Sequence, residues 1–268
     1  MNTPRISASS YSNTAPLIWS FLYGTNHGKV EMILDNAPAR SAELLAQDRV
    51  DAGLVPVIAY QILDGVKLIP DVCVGAKERV QSVCLVTRGI DLEDVRSVSL
   101  DVSSKTSVVL TKILFRDFLG FEPAWRNSPA NIDAMLAGSD AALLIGDPAL
   151  ALSDPSAASD GSAYRTFDLA ELWKRHTGLG FVFAMWMTRR TASPADFAAA
   201  RDEGIAHIGE IASNYQEDIP IGRDNLIRYL SENISYSIDD SMQKGLELYF
   251  ELACKNKLIE RNRELLFV

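Results

Sequence analysis

The sequence predicts an α/β protein of two lobes with a ligand cleft between them. Strand-like apolar runs alternate with helical ones from Ile6 onward, and the strand, hydroxyl-rich loop and helix that open the chain recur after a polar linker near residue 90. The length of 268 residues is long for one domain and comfortable for two. At 47% hydrophobic and 23% charged, the chain can bury a sizeable core.

Residues 6–17 organise the rest. A β-prone start runs into Ser, Asn and Thr, and Pro16 precedes apolar residues Leu17, Ile18, Phe21 and Leu22 at helical spacing. Proline suits a first helical turn because its missing N–H has no partner to lose, so the helix starts near residues 14–16 with Asn13 or Thr14 as cap. Helix starts offer unpaired N–H groups to an anion, yet the same residues also make an ordinary capped turn, and both readings stand at this point.

A strand over 30–34 and a helix over 37–46, eased by Pro38, come next. A buried strand over 50–57 follows, with a short helix behind it. Pro56 cannot donate to a ladder and marks that strand's end, which in an open α/β sheet faces the crevice. Strands over 68–75 and 81–87 lead to a linker at 88–95, the expected first crossing between lobes. The expected division is therefore residues 1–88 with 186–268 in one lobe and 89–185 in the other.

The second lobe repeats the logic of the first. A strand ends at Asp101, and Ser103, Ser104, Thr106 and Ser107 crowd the start of a helix over 108–118. A strand over 121–125 and a helix over 131–137 precede a buried strand from 141, which turns at Gly146 and Asp147 into another helix. Gly146 lets backbone approach a ligand, and Asp147 serves the site or simply caps the helix opened by Pro148. The polar stretch 153–162 reads as a surface loop. A helix over 169–175 ends near Gly178, and an apolar strand over 181–188 returns the chain to the first lobe, the second crossing falling at 184–188. Helices over 195–214, 223–232 and 238–255 finish it, the last amphipathic.

Composition and missing motifs narrow the chemistry. A formal net charge of −9, with no basic cluster longer than Arg189-Arg190, argues against a nucleic-acid partner. An anionic ligand would need local dipoles and buried donors, because the global field repels it. Cys73, Cys84 and Cys254 show neither disulfide nor zinc spacing. His27, His176 and His207 are scattered and read as surface or capping residues. Dinucleotide, phosphate-loop, nucleophile-elbow and metalloprotease motifs are absent, so no cofactor and no metal are expected. No apolar run reaches signal-peptide or membrane-spanning length, so a cytoplasmic protein without a membrane partner is expected. Nothing bears on oligomeric state.

Residues 10–17, Ser-Tyr-Ser-Asn-Thr-Ala-Pro-Leu, resemble the Ser-Tyr-Leu-Asn-Thr-x-Pro-Leu signature of the chorismate dehydratases, which open the futalosine route to menaquinone. The similarity continues in order through 51–60, 82–86, 103–107, 140–147 and 173–186. It implies a type II periplasmic-binding-protein-like fold and loss of water from chorismate, a dicarboxylate, to give 3-[(1-carboxyvinyl)oxy]benzoate. It also implies that Asn13 is the critical residue, as an amide that orients the substrate and stabilises charge, with the substrate's own enolpyruvyl carboxylate as base. Ser82, Thr106 and Ser107 are assigned to the carboxylates, and Tyr11, Ser12, Thr14, Pro56, Ile145, Gly146 and Asp147 complete the expected binding set. Ser12 stands where the family more often has Leu, and Ala59 where it often has Glu. Two other readings share this fold: a non-catalytic solute-binding protein, and the related 1,4-dihydroxy-6-naphthoate synthase. The signature of the latter and its catalytic His are not matched here.

Overall fold

The computed structural model describes residues 3–153 and 164–268. Among these residues the strands form two five-stranded mixed sheets. In the first, β1 (Arg5–Ser9) lies between β2 (Glu31–Asp35) and β3 (Ala52–Pro56), all parallel. β10 (Phe181–Thr188) then inserts antiparallel between β3 and β4 (Lys67–Ala76). In the second, β6 (Ser97–Asp101) runs parallel to β7 (Ala124–Ser128) and β8 (Ala141–Ile145). β5 (Val83–Thr87) pairs antiparallel with β8 and with β9 (Arg165–Asp168).

Helices connect and cover these strands. They are α1 (Ala15–Leu22), α2 (Pro38–Ala46), α3 (Ala59–Ile62), α4 (Thr106–Ile113), α5 (Ile132–Gly138), α6 (Asp147–Ser153) and α7 (Leu169–Thr177). Four more close the chain: α8 (Phe197–Ala206), α9 (Ile208–Tyr215), α10 (Arg223–Arg228) and α11 (Asp240–Lys255). Parallel strands need crossover helices, which is why the apolar runs alternate as they do. Strands β3, β5 and β8 are buried at every residue, as expected of strands covered on both faces.

Several expected boundaries move. Hydrogen bonding puts β5 in the second sheet and all of β10 in the first, so the chain changes sheet between β4 and β5 and again between α7 and β10. Both changes come earlier than the expected 88–95 and 184–188. The strand expected at 121–125 lies at 124–128, because Gly120 in the left-handed region ends the preceding π-helical turn and the Phe121 N–H closes back on the Phe115 carbonyl. The single helix expected over 195–214 breaks at His207, whose ring stacks on Trp19 with centroids 3.7 Å apart. Strand β9 was not anticipated. The polar stretch 153–162 lies outside the described residues except for Ser153, the last residue of α6.

The C-terminal helices tie the lobes together. Helix α8 packs on α1 so closely that a Cβ at Gly204 would lie 1.8 Å from the Pro16 carbonyl oxygen. Helix α11 packs on β10 of the first sheet and reaches α4 of the second lobe, where the fully buried Tyr249 donates to the Thr106 carbonyl at 3.0 Å. The aromatic rings of Trp173, Phe181 and Tyr249 pack edge to face around this junction.

Candidate active site

The carboxyl ends of β1 and β3 in the first sheet and of β6 and β8 in the second converge on one cavity of about 550 Å³, its mouth included. This is where the rule for open α/β sheets places a ligand crevice. Of the expected site residues, Tyr11, Asn13, Thr14, Pro56, Thr106, Ser107, Ile145 and Gly146 line it. Ser12, Ser82 and Asp147 stand one layer behind that wall.

The first wall is the turn after β1. Residues Ser12–Thr14 form a single 3₁₀ turn, closed by the Thr14 N–H on the Tyr11 carbonyl at 2.9 Å, and all three are buried. The capping expected of Asn13 or Thr14 is not made: Thr14 occupies the cap position of α1 without a side-chain cap bond. Its hydroxyl instead lies 3.2 Å from Ser9 Oγ and donates to Asn13 Oδ1 at 3.3 Å. Asn13 Nδ2 donates to Ser82 Oγ at 3.5 Å. The Asn13 amide is therefore held from both ends, and the first N–H groups of α1 have no capping side chain.

The opposite wall belongs to the second lobe. Lys105, at the cap position of α4, makes no side-chain cap bond, which leaves that helix start open beside Ser104, Thr106 and Ser107. Asp101 accepts from the Ser103 N–H at 2.8 Å and from its hydroxyl at 2.6 Å. Burial raises the Tyr11 phenol above its ordinary value, so the hydroxyl stays protonated near neutral pH.

At the end of β8, Gly146 adopts φ +67° and its N–H donates to the Ser82 carbonyl at 2.7 Å. A Cβ here would lie 2.8 Å from the Tyr11 ring, so only glycine lets this turn close over the tyrosine. Asp147 is the first residue of α6, and both of its carboxylate oxygens accept from Ser12. Burial raises its carboxyl above the usual range, further than the Ser12 hydrogen bonds lower it.

Sequence reasoning missed Lys105 and Phe183 as lining residues. Among the described residues Lys105 is the only charged side chain that lines the cavity. Its position between Ser104 and Thr106, in a stretch already singled out for hydroxyls, was the available signal. Ala59 does not line the cavity, and the neighbouring Tyr60 points its hydroxyl to the Glu264 carbonyl at 2.6 Å, so the departure at residue 59 lies off the wall. None of the three histidines lines the cavity. His176 stacks on Phe118 and His207 on Trp19, and His27 is exposed.

A family described as menaquinone biosynthesis matches residues 4–255. A chorismate dehydratase of Thermus thermophilus is 30% identical over 258 residues, which cover 90% of this chain and 92% of the relative. Among solved structures, a crystallised protein of Archaeoglobus fulgidus superposes with a TM-score of 0.73 at 17% identity, covering 96% of this chain and 98% of its own. A Candida albicans protein described as having the generic periplasmic binding protein fold gives 0.70 at 11% identity, covering 98% and 92%. The aliphatic sulphonate binding protein of Escherichia coli gives 0.64 at 13% identity, covering 97% and 89%. The fold is that of the periplasmic binding proteins, with two α/β lobes around a cleft.

Proposed function

This chain belongs to the menaquinone biosynthesis family, and from that premise we propose that it is a lyase that dehydrates chorismate to 3-[(1-carboxyvinyl)oxy]benzoate. The observation that carries the reading is the cavity's chemistry. Turns from both sheets surround it with hydroxyls, an amide and the uncapped start of α4, and among the described residues its one charged lining side chain is the Lys105 cation. A dicarboxylate finds donors there, and among the described residues no carboxylate lines the cavity to repel it.

The reaction breaks a ring C–H and the adjacent C–OH bond and releases water. The proton leaves the ring carbon that carries the enolpyruvyl ether, and its electron pair spreads through the ring diene onto the ring carboxylate. Hydroxide then departs as the ring becomes aromatic. Aromatisation supplies the driving force, so the protein's task is to hold the dianion and stabilise the developing charge. We assign Asn13 to orient the substrate and stabilise the enolate or the leaving hydroxyl, since an amide is too weak a base to take the proton. The substrate's own enolpyruvyl carboxylate takes it. Thr106, Ser107 and Lys105 receive the carboxylates, Tyr11, Thr14, Pro56, Ile145 and Gly146 shape the pocket, and Ser12, Ser82 and Asp147 support it from behind.

We take the lobes to divide at 77–82 and 178–180, where the chain changes sheet, and we place the reaction in the cytoplasm, in keeping with three cysteines that lack disulfide spacing. No helix among the described residues is long and apolar enough to cross a membrane. Incubation of the purified protein with chorismate, followed by absorbance of the new aromatic ring and by loss of one water in mass, tests the assignment. Bound but unchanged chorismate would mark a solute-binding protein instead, and indifference to chorismate would point to the naphthoate synthase.

A further inference from the structure

Beyond the turns that line the cavity, a buried group from the C-terminal helices reaches Ser82, the partner of Asn13. Tyr229 opens the π-helical turn Tyr229–Asn233 that follows α10, and it is 1% exposed. Its hydroxyl donates to Ser82 Oγ at 2.7 Å. The same Ser82 oxygen accepts from Asn13 Nδ2 at 3.5 Å. Ser82 is wholly buried, and its backbone carbonyl receives the Gly146 N–H at 2.7 Å.

A phenol hydroxyl in an apolar core is costly unless it is hydrogen-bonded, and phenylalanine would fill the same volume without that cost. Packing therefore does not call for the Tyr229 oxygen. Its observed use is to pin Ser82, which has no other side-chain partner among the described residues than Tyr229 and Asn13. Burial drives the Tyr229 phenol far above its ordinary range, so it is a permanent donor in this chain and no proton store. A single weak contact to Ser82 would leave the Asn13 amide free to swing. Held by Tyr229, Ser82 becomes a fixed acceptor, and the amide is presented to the cavity in one orientation.

We propose that Tyr229 is a positioning residue of the active site, acting through Ser82 to hold Asn13 in its working orientation. The inference rests on the dehydratase reading for its kinetic test and on geometry alone for its structural one. Tyr229→Phe is expected to lower kcat about tenfold or more, with KM within about twofold and little change in the unfolding midpoint. In a Ser82→Ala background the same substitution should cost almost nothing, because the link through which it acts is gone. An unchanged kcat, or an equal loss in both backgrounds, overturns the proposal. If the unaltered protein does not turn over chorismate, it is the function reading that fails. Crystal structures of the parent and of Tyr229→Phe then decide this proposal: displaced Ser82 and Asn13 side chains support it, and unmoved ones overturn it.

Discussion

Ser12 meets Asp147 behind the cavity wall, giving its hydroxyl at 2.5 Å and its backbone N–H at 3.2 Å to the carboxylate. One residue follows the first strand of one sheet and the other follows β8 of the second, so the pair joins the two lobes directly. A leucine here would have no hydroxyl to donate.

Because burial holds the Asp147 carboxyl above its ordinary value, the folded chain keeps a proton that the unfolded chain has released once the pH exceeds about 4. The stability contributed by this group is full below that point and is lost as pH rises through the folded value. Asp147→Asn cannot ionise, so its stability relative to the parent should improve from about pH 4 toward pH 7. Chemical unfolding at several pH values checks this, and a stability difference that stays constant refutes it.

Asn13→Ala should lower turnover of chorismate about a hundredfold to a thousandfold, the loss seen when one donor to a developing oxyanion is removed. Its partners, the Thr14 and Ser82 hydroxyls, each keep another hydrogen-bond partner, so the fold should survive. Steady-state kinetics beside a thermal melt test both halves, and a folded variant with near-parental turnover would falsify the role.

Gly146→Ala should fail in two ways. The left-handed backbone disfavours any side chain by about 1 kcal/mol, and the new methyl group meets the Tyr11 ring. A lower unfolding midpoint and a KM raised about tenfold are expected, as the turn can no longer close over the tyrosine. Parental values for both would show that the turn tolerates the methyl and that the contact does not matter.

Lys105→Gln should raise KM about fivefold and leave kcat nearly unchanged, since an exposed cation at the cleft contributes about 1 kcal/mol of uniform binding. The KM of the variant should also depend less on ionic strength than that of the parent. A KM that responds to salt as before would remove Lys105 from substrate binding.

Much of this cavity was legible because each of its turns is a local object. The order strand, hydroxyl-rich loop, helix at 6–17 and again at 98–113 follows from neighbouring residues, as do the strand end at Pro56 and the glycine turn at 146. The membership of β5 was not legible: its first four residues are apolar on both faces and suit either sheet, and backbone pairing leaves no mark on side-chain pattern. The same holds for β7, whose start depends on how Phe121 folds back onto Phe115.

The sequence by itself determined the α/β class and the donor-rich turns, and through the motifs of residues 10–17 and 140–147 it pointed to the family. These are properties that a residue shares with neighbours a few positions away. Tertiary structure alone decided which turns face one another. Ser12 and Asp147 are 135 positions apart and Ser82 and Tyr229 are 147 apart, and no local periodicity encodes a contact at that separation. Such pairs exist because two sheets bring the ends of their strands to a common cleft and the C-terminal helices pack back across the junction, an arrangement set by burial of the whole apolar surface rather than by any one segment.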